Sequence, residues 1–537
     1  MTHSSTALIT VSLLLAPLGG HATTCESLRS LVLASTEIVV AETVPAGPVL
    51  LPSYLDEAVE RINLPAHCRV AGVIRPTSDS YIRFEAWMPI SGWNGRFEGV
   101  GNGNYAGMLS IEALAHGVLR GAAIATTDTG HESTPADPAT SMWGGSREKI
   151  IDFGYRGIHE TARVGKQLVR AYYGKPPRNS YFVSCSNGGR QGLMSAQRYP
   201  EDYDGIVAGA PARGWTRLMS MFMAHERRYA IDPATRLSEK KVELLVDATT
   251  RACDALDGLK DGIIDDPRRC PFDSAALQCK GEDADNCLTV AQVKTVNLLH
   301  AGIVNPSTAR VRGMPAGSES AAWNLWIFGQ PPLKSGYDYL GTPLFRDLVY
   351  RDASWTAERF NLERDSEVAH QQLAQVLDAD EPDLRPYFAR GGKLILYAGW
   401  LDAAIPALDT IDYYEEVRQR AGAELANANA RLFVVPGMAH CGDGPGFSSF
   451  GQWYNGTGRP TEDIRAALFD WVENGHAPDS LSATRQAESL WTDPRVGLQS
   501  GKTRPTRLVC AWPRRARWIG SGSTEDAANF RCTVDPP

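Results

Sequence analysis

Residues 181–196 hold the strongest constraint on how this chain can fold. An apolar run, Tyr181-Phe182-Val183, meets Ser184-Cys185-Ser186-Asn187 and then Gly188-Gly189-Arg190, after which a helical pattern continues through Leu193, Met194 and Ala196. Strand, tight turn and helix in that order lift a serine hydroxyl clear of a sheet, the layout of a nucleophile elbow. The backbone N–H of Asn187, the first after the serine, is then aimed at a developing oxyanion. Ser184 stands where such elbows usually carry their first glycine. It is small, but it departs from the pattern.

Two further strand-to-loop transitions follow. Lys393-Leu394-Ile395-Leu396-Tyr397 reads as a buried parallel strand and runs into Ala398-Gly399-Trp400-Leu401-Asp402. Arg431-Leu432-Phe433-Val434-Val435 runs into Pro436-Gly437-Met438-Ala439-His440-Cys441. Open α/β sheets collect their chemistry at the carboxyl ends of the strands, so a carboxylate and an imidazole are expected at one sheet edge. The chain order Ser186, Asp402, His440 is that of an α/β-hydrolase triad and differs from the chymotrypsin and subtilisin orders. In these roles Ser186 is the nucleophile, His440 the base that takes and returns its proton, and Asp402 the group that orients the imidazole. Cys185 precedes the serine and Cys441 follows the histidine. A triad brings those two cysteines near each other, and a disulfide there would fasten the histidine loop to the elbow.

The N-terminus and the cysteines point to an oxidising compartment. Residues 7–20 form an apolar run too short to span a bilayer with comfort, followed by Gly20-His21-Ala22, so residues 1–22 read as a signal peptide cut after Ala22. Its first six residues lack the usual Lys or Arg. All ten cysteines lie beyond it, and no C-x-x-C pair suggests zinc. An even count in an exported chain favours disulfides, and spacing alone proposes Cys253 with Cys270 and Cys279 with Cys287. The expected localisation is secreted or periplasmic. A formal charge of −8 argues against a nucleic-acid partner, and no later stretch is apolar enough for a membrane helix.

Far more chain separates Ser186 from Asp402 than a hydrolase core needs, so the expected organisation is a catalytic domain in two parts, 23–212 and 380–537, with an inserted, mostly helical lid at 213–379. Helical patterns at 239–250 and 363–377 lie within it. So does a run of carboxylates on a Gly-punctuated loop, Asp254 to Asp265, whose hard oxygen donors favour Ca²⁺ over transition metals without EF-hand spacing. Trp323, Trp326 and Phe328 are candidate substrate-binding residues, able to form a flat apolar wall for an aromatic ring.

Taken together, Cys185-Ser186, Asp402, His440-Cys441, Trp93-Asn94-Gly95-Arg96-Phe97, Gly99 to Asn104, Asp128-Thr129-Gly130-His131 and Asp254 to Asp265 resemble the tannase/feruloyl esterase family of bacteria and fungi. The resemblance implies an α/β-hydrolase fold with a large lid and a second oxyanion donor from the backbone of Gly103 or Asn104. It also implies a structural calcium in the lid, held by Asp254, Asp257 and Asp261 with the carbonyls of Leu259 and Ile263. For the remaining cysteines it implies Cys25–Cys68, Cys185–Cys441 and Cys510–Cys532. The activity it implies is a serine carboxylesterase acting on small aromatic esters, feruloyl or galloyl, through an acyl-enzyme. Alternatives are a terephthalate monoester hydrolase, a broader carboxylesterase or lipase, and a non-catalytic protein binding a phenolic ligand or glycan. Oligomeric state is not encoded in any local pattern.

Overall fold

A computed structural model describes residues 24–51, 60–133, 146–305, 309–330, 333–454, 456–485 and 504–534. The leader expected at 1–22 lies outside the described residues. Nine strands form one sheet: β1 (Thr36–Val44), β2 (His67–Ile74), β3 (Ile82–Pro89), β4 (Arg96–Gly99), β5 (Ala123–Thr127), β6 (Asn179–Cys185), β7 (Gly205–Gly209), β8 (Lys393–Gly399) and β9 (Ala430–Val435). Their spatial order is β1-β2-β3-β5-β4-β6-β7-β8-β9. Pairing is antiparallel from β1 through β3 to β5 and parallel from β5 to β9. β8 is buried from Leu394 to Gly399, as a parallel strand covered on both faces must be, whereas β1 on the edge buries only Ile38 and Ala41 and has a register shift between Ile38 and Val40.

Register sets the site. Cys185 pairs with Gly209, Gly209 with Tyr397, and Tyr397 with Phe433, so β6, β7, β8 and β9 end almost level. The loops that follow therefore open along one edge, where ligands bind in sheets of this kind. Helix α1 (Ile111–Leu119) packs near β5, and α2 (Gly157–Tyr173) lays Ile158, Thr161, Ala162, Gly165, Leu168 and Val169 into the core at helical spacing. α3 (Asn187–Arg198) starts directly after Ser186.

The chain between β7 and β8 forms a helical layer over that edge. It contains α4 (Trp215–Ile231), α5 (Glu239–Cys253), α6 (Val290–Ala301), α7 (Gly336–Pro343) and α8 (Leu362–Leu377), so helices occupy both stretches whose sequence predicts them. Its apolar core is continuous with Tyr105, Phe153 and Ala403 to Ile405 of the catalytic part. Two tyrosine hydroxyls span the join, Tyr105 donating to the Leu340 carbonyl at 2.7 Å and Tyr337 to the Ala403 carbonyl at 3.0 Å.

The layer leaves and rejoins the sheet at one place. Arg213 pairs with Asp380 and Asp409, each at 2.9 Å, and Arg217 also pairs with Asp380. The Ala379 N–H donates to the Arg213 carbonyl, and Asp378 accepts from the Thr216 N–H and hydroxyl. Burial, reinforced by the neighbouring Asp380 carboxylate, pushes Asp378 well above the usual carboxylate range.

All five disulfides are closed: Cys25–Cys68, Cys185–Cys441, Cys253–Cys270, Cys279–Cys287 and Cys510–Cys532. Beyond β9, two ribbons, β10 (Ser480–Thr484) with β11 (Thr506–Cys510) and β12 (Arg515–Trp518) with β13 (Phe530–Thr533), close the chain. Arg507 and Arg515 on them hold Asp261 at 2.7 Å and Asp266 at 2.8 Å, docking the acidic loop. No helix among the described residues is long and apolar enough to cross a membrane.

Candidate active site

Ser186 sits on the turn between β6 and α3 with φ 64° and ψ −126°, a left-handed conformation that a serine adopts only under constraint. Its N–H donates to the Gly209 carbonyl at 2.9 Å and its carbonyl accepts from Ala212 at 3.1 Å, so the end of β7 fixes the elbow from both sides. The unusual Ser184 is accommodated by Gly188. A Cβ at position 188 would lie 1.9 Å from the Ser184 hydroxyl oxygen, so the glycine that the fold usually has before the serine is replaced by space conceded after it. Asn187 opens α3, where a backbone N–H has no partner within the helix and is available to an oxyanion.

Asp402 is buried beyond β8. Its Oδ1 accepts the N–H groups of Ala404 at 2.9 Å and Ile405 at 2.8 Å, which leaves Oδ2 to His440 Nδ1 at 2.8 Å. A carboxylate can only accept, so Nδ1 carries the proton and Nε2 is the basic nitrogen. The histidine loop is drawn against β8 by the Leu401 N–H, which donates to the Met438 carbonyl at 2.9 Å. Cys441, next to His440, is disulfide-bonded to Cys185, next to Ser186, with Cα atoms 5.9 Å apart. The three polar groups named from sequence thus occupy one sheet edge, and a covalent bond joins the imidazole loop to the serine turn.

Gly103 and Asn104 lie on the loop after β4, exposed, with Asn104 at φ 47°. The loop presses on the elbow: a Cβ on Gly101 would stand 2.8 Å from Gly188 Cα and 2.6 Å from Gln191 Oε1. Asn102, Gln191 and His131, none of them singled out as site residues from sequence, anchor it. His131, held neutral because burial lowers it to about 4, has Nε2 2.7 Å from the Tyr105 carbonyl. The only signal in the sequence was their membership of, or proximity to, the glycine-rich and Asp-Thr-Gly-His motifs.

Of the three aromatic candidates, the structure brings one to the triad. Trp326 stacks edge-on against the His440 ring with centroids 5.0 Å apart. Trp323 and Phe328 instead pack with each other inside the lid, Trp323 beside His300 and Phe328 beside Tyr229. Arg190 is fully buried and spends its guanidinium on Asn187 Oδ1 and on the carbonyls of Phe153, Gly154 and Leu377. Burial lowers it to about 9, and it ties α3 to the end of the lid.

On the acidic loop, Asp254 Oδ1 accepts from Asp261 and Gly262, Asp257 from Leu259, and Asp261 from Ile263, while Arg507 takes the other Asp261 oxygen. Burial raises Asp257, and the Asp261 and Asp254 carboxylates add to the shift. Hard oxygens crowded in this way suit a cation such as Ca²⁺. Among the described residues, however, no three His, Cys, Asp or Glu side chains are already gathered as a metal cage.

A family model described as tannase and feruloyl esterase matches residues 68–533. An uncharacterized esterase of Xanthomonas campestris pv. campestris is 39% identical, with 96% of this chain and 91% of the relative aligned. Mono(2-hydroxyethyl) terephthalate hydrolase of Piscinibacter sakaiensis is 32% identical over 88% of this chain and 86% of its own. The crystal structure of feruloyl esterase B from Aspergillus oryzae superposes with a TM-score of 0.83 at 30% identity, covering 95% of this chain and 99% of that one.

Proposed function

Since the chain belongs to the tannase and feruloyl esterase family and is a carboxylic ester hydrolase, we propose that it cleaves esters of phenolic and other aromatic acids through Ser186, His440 and Asp402. The observation that carries this reading is the His440–Asp402 hydrogen bond of 2.8 Å on a loop that the Cys185–Cys441 disulfide holds to the serine elbow.

In the proposed cycle His440 Nε2 removes the Ser186 proton as Oγ attacks the ester carbonyl carbon. The carbonyl oxygen gains the negative charge and is met by the Asn187 N–H and by a backbone N–H of Gly103 or Asn104. Collapse breaks the C–O bond, and the imidazolium returns its proton to the departing alcohol. Water, deprotonated by the same imidazole, then attacks the acyl-enzyme and releases the acid and free Ser186. Asp402 stabilises the imidazolium in both halves without taking its proton.

Trp326 against His440 supports an aromatic acyl group at the site, since a ring beside the triad offers a flat apolar contact. Similarity to feruloyl esterase B favours hydroxycinnamoyl esters. The terephthalate monoester hydrolase among its relatives supports a second class, monoesters of aromatic diacids. A structural calcium on Asp254, Asp257 and Asp261 is part of the same proposal, supported by their crowded carboxylates, and five disulfides support export to an oxidising compartment.

The test is Ser186→Ala, assayed with methyl ferulate, methyl gallate and mono(2-hydroxyethyl) terephthalate. Turnover of all three is expected to fall by about 10³-fold or more with folding intact. Turnover retained by that variant sinks the reading.

A further inference from the structure

The second oxyanion donor lies on a loop with little reason of its own to hold still. Asn104 (φ 47°) and Ala106 (φ 61°) are non-glycine residues in left-handed backbone, each costing on the order of 1 kcal/mol or more. Such a segment keeps its shape only when its surroundings over-determine it.

Here the restraint comes from the nucleophile's own helix. Gln191 lies on the second turn of α3 and is 1% exposed. Its Oε1 accepts the backbone N–H of Asn102 at 3.0 Å, and its Nε2 reaches Asn102 Oδ1 at 3.4 Å. Asn102 in turn donates Nδ2 to the carbonyls of Met108 at 2.9 Å and Thr127 at 2.8 Å, closing the loop on itself and on the end of β5. Two consequences follow. The Asn102 N–H is committed to Gln191, so the oxyanion donor falls to the next N–H groups, those of Gly103 and Asn104. Ser186, Asn187 and this loop also share one rigid support, because the residue that fixes Asn102 rises from the helix that begins at Asn187.

We propose that Gln191 is a positioning residue for ester hydrolysis, with its side-chain carbonyl hanging the second oxyanion donor on the helix that carries the first. Oxyanion stabilisation depends on donors held where charge develops rather than where the substrate oxygen rests. Loss of the clamp therefore weakens transition-state binding and leaves ground-state binding almost untouched.

This inference rests on the serine esterase reading, and the experiment separates the two. Gln191→Met keeps the length of the side chain and removes the acceptor, with Gln191→Leu as the second variant if methionine does not fold. Full-length enzyme is assayed with methyl ferulate, and rates are normalised to sites labelled at completion by a fluorophosphonate. The expected result is a fall in kcat of about 10- to 100-fold with KM within about threefold and Tm nearly unchanged. Affinity for phenylboronic acid, which forms a tetrahedral adduct on the serine, should fall by the same factor as kcat. A kcat within about twofold of the unaltered enzyme overturns the proposal. So does a loss explained by KM or by fewer labelled sites, or a boronate affinity that does not move. Activity surviving Ser186→Ala would instead remove the serine esterase reading beneath it.

Discussion

Asp402→Asn tests the triad at its most constrained atom. Asp402 Oδ1 is held by two backbone N–H groups, from Ala404 and Ile405, and Oδ2 faces His440 Nδ1 at 2.8 Å. An asparagine amide has one accepting end and one donating end. The two N–H groups select its oxygen, because the reversed amide would set NH₂ against both and leave buried donors unmatched at about 1–3 kcal/mol each. The NH₂ is therefore turned to His440, which must accept at Nδ1 and carry its proton on Nε2. That is the nitrogen required to deprotonate Ser186, so the base is blocked although the geometry is preserved. The corresponding change in a serine protease triad lowers kcat by about 10⁴, equivalent to about 5.5 kcal/mol of barrier. We expect a loss of that order on methyl ferulate with KM and Tm little changed. Asp402→Ala, which forces no tautomer, should be no worse. The assay is kcat and KM per labelled site, together with ¹⁵N NMR of the His440 tautomer. An asparagine variant that retains more than about a tenth of kcat, or keeps the proton on Nδ1, would falsify the reasoning.

Three further outcomes are expected. The Cys185–Cys441 bond closes a sequence separation of 256 residues and Cys279–Cys287 one of 8, which in the chain-entropy picture gives upper estimates of about 5.5 and about 2.5 kcal/mol. Replacing the first pair by alanines should lower both unfolding free energy in urea and kcat, whereas replacing the second should spare kcat; equal kcat in both variants contradicts the tether. Glu226, buried and bonded to the Ser335 hydroxyl at 2.5 Å, is raised by burial to about 7. A raised carboxyl pKa means that the folded state resists ionisation, so its penalty is absent below about 4.5 and complete above about 7. Glu226→Gln should therefore raise stability at pH 8 by up to about 3 kcal/mol relative to its effect at pH 4.5, and a pH-independent effect would count against this. Chelation by EDTA should lower Tm but leave kcat at 25 °C unchanged, and Asp257→Asn should abolish the difference. Loss of activity at constant Tm would assign the loop a different role.

Much of this was legible in local pattern. The runs at 181–183, 393–397 and 431–435 are apolar enough to be buried strands, and the turn or loop after each carries a residue of the site, Ser186, Asp402 or His440. The elbow was readable because its chemistry is contiguous. What could not be read depends on contacts distant in sequence. Gln191 and Asn102 are 89 positions apart, and neither differs in kind from a surface amide until the fold buries both. Trp323, Trp326 and Phe328 sit within one turn and a half of helix, so composition cannot tell which of them meets His440; the helical phase and the tilt of the lid decide that. The edge strand β1 and the ribbon strands β11 and β12 carry weaker signals, since polar or half-exposed positions outnumber the buried ones in each.

The ion cluster of Arg213 and Arg217 with Asp378, Asp380 and Asp409 gives the inserted layer the character of a cartridge whose two ends are fastened at one place, while its apolar face and acidic loop dock on the catalytic part. Both of its ends are secured within a few residues of each other, and the sheet beneath is continuous without it. Exchange of cartridges between relatives is thus a route to new acyl preferences that leaves the proton-transfer machinery in place. The junctions of such a chimaera belong near Arg213 and Asp380, upstream of Asp402, and the incoming layer keeps Arg213, Arg217, Asp378 and Asp380 so that the pair with the recipient's Asp409 re-forms.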